Sequence, residues 1–181
     1  GDVVMTPIFR GACTALITPF KNGKIDFEAF GKIIDWQIEQ GIDSLLVAGT
    51  SGECCTLSDD EHHEVLTYAI ARAAGRVPMI AGTGSNDTAH AIAMTQFACN
   101  EGYDACLAVT PYYNKTTQKG LGAMYKTIAD NSSKPIIIYN VPSRTGVNVT
   151  PATFGQLAGY PNIGAVKDAG GNISDTASTV L

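Results

Sequence analysis

Lys167 follows the apolar run Ile163-Gly164-Ala165-Val166. A lysine ending such a strand keeps its stem among apolar side chains, where desolvation disfavours the ammonium form and frees the amine to attack a carbonyl. A surface lysine closing a strand is the plainer alternative. Its company favours chemistry. Tyr139 ends the apolar run Ile136-Ile137-Ile138 and offers a phenol for moving protons to and from an imine. A core tyrosine with a satisfied hydroxyl is the competing reading. Thr50 and Ser51 lie between Gly49 and Gly52, a turn presenting two hydroxyls and several N–H groups to a small carboxylate. Glycine serving only to permit positive φ is the plain reading there. Arg144 adds a permanent cation whose fork matches a carboxylate. Together these residues describe a small keto-acid site: an amine for the ketone, a donor cradle for its carboxylate, a phenol for proton transfer and an arginine for a second acid.

Other chemistries find less support. Gly82-Thr83-Gly84 is not a GxGxxG fingerprint and does not open the first βα turn, which argues against nucleotide binding. His62, His63 and His90 with Asp59, Asp60, Glu61 and Glu64 raise the question of a metal. No HExxH is present, and an acidic first helical turn is ordinarily a solvated, dipole-favoured helix end. The expectation is no metal and no cofactor. Five cysteines, at positions 13, 54, 55, 99 and 106, include no CxxC spacing, and the adjacent Cys54 and Cys55 suit neither a disulfide nor a zinc pair. Reduced thiols in a cytosolic protein are the plain reading.

The elements that must position these groups alternate. Short apolar runs at residues 13–18, 44–48, 77–81, 105–109, 136–139 and 163–166 read as strands, and the segments between them carry helical spacing. Phe30, Ile33, Ile34 and Ile38 form one stripe of a helix over 27–40, with Gly41 as its stop. Ser58-Asp59-Asp60-Glu61 is a capping box opening a helix to about residue 74. Further helices are expected from 87 or 88 to near 102, over 117–131, from Thr150-Pro151 with proline in the first turn, and from Ile173 onward. Strands separated by helices pair in parallel and read as continuous apolar runs. Repeated βα units without a Rossmann fingerprint favour a (β/α) barrel over a doubly wound sheet. A complete eightfold barrel takes roughly 250 residues, more than the 181 in this chain.

Composition excludes several classes. With 45% hydrophobic and 16% charged residues the chain is not disordered by default. Twelve basic against seventeen acidic residues give −5, which argues against a broad nucleic-acid footprint. No apolar run approaches twenty residues and no basic leader is read, so neither a membrane partner nor a signal peptide is expected. Residues 1–4 read as an added leader ahead of a natural start at Met5.

Five segments follow one another in an order that resembles the dihydrodipicolinate synthase family. They are Gly49-Thr50-Ser51-Gly52-Glu53 with Thr56-Leu57-Ser58 and Glu61-His62; Gly82-Thr83-Gly84-Ser85-Asn86; Val109-Thr110-Pro111-Tyr112-Tyr113-Asn114-Lys115; Tyr139-Asn140-Val141-Pro142-Ser143-Arg144-Thr145-Gly146; and Lys167. The likeness runs over about residues 7–172. The segment carrying Arg144 discriminates, since the related N-acetylneuraminate lyases share the lysine and tyrosine but generally lack that arginine.

The resemblance implies a TIM barrel of the class I aldolase type, here reduced to its first six βα units. Residues 1–181 would form the N-terminal part of one barrel domain, without strands seven and eight and the C-terminal helices. A piece of a longer enzyme is the preferred account, ahead of a chain completed by association. It also implies roles. Lys167 would form the Schiff base with pyruvate, with Tyr139 as acid and base. Thr50 and Ser51 would bind the pyruvate carboxylate, Ser51 also relaying protons. Arg144 would hold the carboxylate of aspartate 4-semialdehyde, and Tyr113 would reach into a neighbouring subunit's site, making a homodimer or homotetramer the working form. The family reaction is an aldol condensation followed by cyclisation, committed to diaminopimelate and lysine. A sialic-acid or keto-deoxy-sugar-acid lyase on the same barrel, and an inert fragment or assembly module, are the alternatives.

Three departures from the family pattern stand out. Ser51 stands where a second threonine is common, so the hydroxyl survives without the methyl that fixes its rotamer. Asp168-Ala169-Gly170 replaces the usual Glu-Ala-Thr or Glu-Ala-Ser after the lysine. In lysine-inhibited members a carboxylate in an interfacial groove accepts the effector's ammonium. The corresponding positions here include Cys54, Cys55, Asp59, Asn86, His90 and Tyr112, and His90 replaces the expected acid. Weak or absent lysine inhibition is expected.

Overall fold

Strand and helix alternate along the computed structural model, which describes residues 7–180. The start expected at Met5 lies outside the described residues, as does Leu181. The chain divides into two compact units, one of residues 7–82 and 97–105, the other of 83–96 and 106–180.

The first unit holds β1 (Cys13–Ala15), β2 (Phe20–Lys21), β3 (Lys24–Ile25), α1 (Phe27–Glu39), β4 (Ser44–Val47), α2 (Asp59–Ala73) and β5 (Met79–Gly82). β1 pairs with β4 and β4 with β5, all parallel, with Ala15 opposite Leu46 and Leu46 opposite Ile80. β4 and β5 are buried along their whole lengths, as strands covered on both faces must be. Helix ends obey local rules. Gly41, at φ +82°, donates to the Ile38 carbonyl, and the Ile42 N–H reaches Gln37. This is a Schellman closure, which favours glycine for its left-handed backbone. The Ser58 capping box forms in both directions, Glu61 N–H to Ser58 Oγ at 3.2 Å and Ser58 N–H to Glu61 Oε2 at 2.9 Å. Phe30 and Ile34 of α1 are buried, as are Val65, Leu66 and Ala69 of α2. Full burial of each large apolar side chain contributes about 1.5–3 kcal/mol. The Tyr68 ring lies 4.8 Å from Phe27 and 6.0 Å from Phe30, joining the two helices.

The second unit holds the start of α3 (Thr88–Glu101), most of β6 (Ala105–Val109), then α4 (Gln118–Asp130), β7 (Ile136–Asn140), α5 (Pro142–Thr145), α6 (Pro151–Leu157), β8 (Ile163–Asp168) and α7 (Ile173–Val180). β6, β7 and β8 pair in parallel, with Val109 opposite Tyr139 and Tyr139 opposite Lys167. β7 is buried throughout, whereas Gly164, Ala165 and Val166 of β8 are exposed. Thr150 caps α6 with Pro151 in its first turn, as the sequence leads one to expect.

Several strand boundaries differ from expectation, with β4 stopping at Val47 and β7 reaching Asn140. The strand expected over 13–18 ends at Ala15, and the antiparallel β2–β3 hairpin follows, turning at Asn22 and Gly23, both at positive φ. The strand expected over 77–81 is shifted to Met79–Gly82. The apolar run at 163–166 forms the body of β8, and the strand closes at Lys167 and Asp168 as expected, both with ladder partners on β7.

Candidate active site

Lys167 and Tyr139 are brought together by strand register. They are Cα partners on β8 and β7, so their side chains leave the same face of the sheet. Lys167 Nζ lies over the Tyr139 ring, 4.4 Å from its centroid, within range of the attraction between an ammonium and an aromatic face. Tyr139 is 7% exposed, while Lys167 is half-buried. The amine therefore has one side against an aromatic face and remains accessible.

The next residue on each strand faces the opposite side. Asn140 is 2% exposed and fully engaged. Its Nδ2 donates to Asn148 Oδ1 at 2.9 Å and to Asp168 Oδ1 at 3.1 Å, and its Oδ1 accepts from the Val149 N–H at 3.0 Å. Asp168 also accepts from Thr176 Oγ1 at 2.7 Å and from the Gly170 N–H at 3.0 Å. The Thr176 hydroxyl, with help from Asn140 and Gly170, holds the Asp168 carboxyl below the usual carboxylate range.

Arg144 sits in the last turn of α5 and is exposed. Its loop is fixed from beneath by buried Thr145, whose hydroxyl accepts from the Val147 N–H at 3.2 Å and from Thr110 Oγ1 at 3.1 Å. Tyr113, on the segment after β6, is 92% exposed and held at φ +69°, two residues before Lys115 at φ +54°. Such left-handed conformations are uncommon for residues with side chains.

In the first unit, Thr50 and Ser51 are exposed on a 3₁₀ turn, Thr50–Gly52. Residues at positive φ bracket it, Ala48 at +52° and Glu53 at +60°. The turn closes through Gly52 N–H to Gly49 O and is tied by buried Thr18, whose hydroxyl donates to Gly52 O at 2.8 Å. Close packing holds the backbone behind it: a Cβ on Gly82 would lie 2.1 Å from the Ala48 carbonyl oxygen.

Positions of the expected effector groove fall in both units. Cys54 and Cys55 share a second 3₁₀ turn with their sulfurs 4.0 Å apart. Burial, then the neighbouring Cys55, pushes the Cys54 thiol up to about 12. Asp59 opens α2 and is exposed. Asn86 donates to the Tyr112 carbonyl at 3.2 Å and accepts at its own carbonyl from Asn114 at 3.0 Å, and His90 is half-buried in the first turn of α3. Among the described residues, no three His, Cys, Asp or Glu side chains gather as a metal group. His62 is buried, with Nε2 2.9 Å from the Gly82 carbonyl.

Sequence reasoning passed over the Asn140 side chain, and with it the link to Asp168. A signal was present: each follows a proposed catalytic residue by one position, so a register that pairs Tyr139 with Lys167 also pairs the amide of Asn140 with the carboxylate of Asp168.

A βα-repeat protein with a lysine and a tyrosine paired at the carboxyl ends of neighbouring parallel strands is of the (β/α)-barrel class. The particular family is shown by comparison. The model of the dihydrodipicolinate synthetase family matches residues 8–180, and the chain belongs to that family. A 4-hydroxy-tetrahydrodipicolinate synthase of Caldicellulosiruptor saccharolyticus is 52% identical over 176 residues, 97% of this chain and 60% of the relative. The crystal structure of dihydrodipicolinate synthase from Aquifex aeolicus superposes with a TM-score of 0.93 at 46% identity, covering 95% of this chain and 59% of that one. A chloride-inhibited dihydrodipicolinate synthase from Acinetobacter baumannii, complexed with pyruvate, gives 0.92 at 46% identity, covering 94% and 59%. The fold is thus that of a TIM barrel, represented by six of its βα units. The chain spans about 60% of the length of the curated relatives it matches.

Proposed function

We propose that the protein to which this chain belongs condenses pyruvate with L-aspartate 4-semialdehyde through an imine on Lys167, giving 4-hydroxy-tetrahydrodipicolinate. The observation that carries this reading is Lys167 Nζ lying 4.4 Å over the Tyr139 ring from a register-paired position. The Lys167 amine attacks the pyruvate ketone, and water leaves as the imine forms. Tyr139 supplies the proton for the departing hydroxide and later accepts one from the methyl carbon, giving the enamine that attacks the aldehyde. The semialdehyde's own amine then adds to the imine carbon, closing the ring and expelling the Lys167 amine. Thr50 and Ser51 bind the pyruvate carboxylate, with Ser51 relaying protons. Arg144, exposed on its braced loop, takes the carboxylate of the semialdehyde. The covalent lysine imine carries the carbon chemistry in this scheme, without a cofactor.

Residues 1–181 form the N-terminal part of a single barrel domain in this reading, in a cytosolic homodimer or homotetramer. The exposed, left-handed Tyr113 supports a role at a neighbouring copy's site. Tyr113→Phe then lowers turnover sharply, and a stable monomer with full activity would contradict the shared site.

Borohydride reduction in the presence of pyruvate tests the reading. A mass gain mapping to Lys167 is expected, lost in Lys167→Ala. Folded protein that takes up no adduct at Lys167 overturns it. Turnover of semialdehyde with pyruvate, set against cleavage of sugar acids, separates this lyase from its sugar-acid relatives.

A further inference from the structure

We infer that Asn140 and Asp168 are positioning residues that hold the Lys167 amine over the Tyr139 ring, acting by shape and not by charge. The inference rests on the lyase reading above. Adjacent strand residues face opposite sides of a sheet, so Asn140 and Asp168 lie behind Tyr139 and Lys167. They form a side-chain link between β7 and β8 immediately beyond the catalytic pair.

The link fixes the strand just past the nucleophile. Polar bonds converge on Asp168: Asn140 ties it sideways to β7, and Thr176 ties it forward to the first turn of α7. The Ala169 N–H reaches the Asn140 carbonyl at 2.8 Å and extends the ladder past Lys167. Asn140 is in turn anchored by Asn148 and Val149. An amide is suited to this node, since it must donate to two oxygens and accept from one N–H.

The hydrogen-bond roles discriminate shape from charge. In Asp168→Asn the carbonyl oxygen still accepts from Asn140 and Gly170. The new amide donates to Thr176 Oγ1, whose own hydrogen turns to the Asn172 carbonyl, 3.2 Å away. That variant keeps the link and removes the charge. Asp168→Ala removes the link. Asn140→Asp places a carboxylate against Asp168 and the Asn148 carbonyl oxygen, opposing acceptors with acceptors.

The experiment measures, on the full-length enzyme, the rate of cyanoborohydride-trapped pyruvate adduct at Lys167, the pyruvate KM and the melting temperature. Asp168→Ala and Asn140→Asp are expected to slow trapping at saturating pyruvate by about tenfold or more, with little change in KM, since sub-ångström misplacement of a nucleophile is felt in the reacting step. Asp168→Asn is expected to stay within about threefold of the parent, a rescue by the conservative variant. Thr176→Val, a milder lesion outside the strand, gives an intermediate loss and serves if the stronger variants fail to fold. Equal trapping by folded parent and Asp168→Ala overturns the inference alone, as does an Asp168→Asn enzyme as slow as Asp168→Ala. A parent enzyme that forms no adduct overturns the lyase reading and this inference with it.

Discussion

Lys167 and Tyr139 face one another across two parallel strands, with the lysine nitrogen 4.4 Å from the centre of the tyrosine ring. The phenyl face and the phenolic hydroxyl of Tyr139 thus have separable duties. The face contacts the amine, and the hydroxyl carries protons in the proposed reaction.

Tyr139→Phe keeps the face and deletes the hydroxyl. Turnover with both substrates is expected to fall by about 10²–10⁴-fold, the usual worth of a positioned acid or base, while borohydride still traps some pyruvate at Lys167. Steady-state rates and mass spectrometry on the same preparation check it. Undiminished turnover would remove Tyr139 from the proton path.

His62 tests a purely structural contact. Its Nε2–H donates to the buried Gly82 carbonyl at 2.9 Å. His62→Ala leaves that acceptor unpartnered by the ring, and denaturant unfolding is expected to show a loss of about 1–3 kcal/mol. Stability equal to the parent's would mean that water replaces the imidazole without cost.

Asp168 gives a pH dependence. Its folded pKa is depressed, chiefly by Thr176, so its bonds add stability fully above the ordinary carboxylate pKa of about 3.9 and lose it as pH falls through the lower folded value. Unfolding curves from neutral to acid pH are expected to fall more steeply for the parent than for Asp168→Asn. Solvent screening keeps the difference modest, since Asp168 is exposed. Parallel curves would show the carboxylate to be energetically idle.

His90 stands where lysine-inhibited relatives are expected to carry an acid. Millimolar lysine is therefore expected to leave the condensation rate nearly unchanged, and His90→Glu to introduce inhibition. Strong inhibition of the parent enzyme would show that another group, with Asp59 the first candidate, receives the effector's ammonium.

Local grammar made much of the fold readable. The Ser58–Glu61 capping box, the Gly41 stop and the Thr150-Pro151 start each involve residues within a few positions of one another, and all form. The Asn22-Gly23 turn carried an equally strong hairpin signal, but two-residue strands show no alternation to flank it. Lys167 was legible as the end of its strand, but its ladder partner on β7 was not. The amide node escaped notice for the same reason: Asn140 meets Asn148 and Asp168 only through the fold, 8 and 28 positions away. Residue chemistry nominated the lysine, tyrosine and hydroxyl turn, while their supports are long-range hydrogen bonds that no spacing encodes.

Gly82 lends this last point a practical edge. Its missing methyl leaves room for the Ala48 carbonyl, behind the turn that bears Thr50 and Ser51. Anyone reshaping substrate preference by randomising small residues near those hydroxyls should therefore spare position 82, where every replacement drives a carbon into neighbouring main chain. The outward-facing Thr56 offers safer ground for variation.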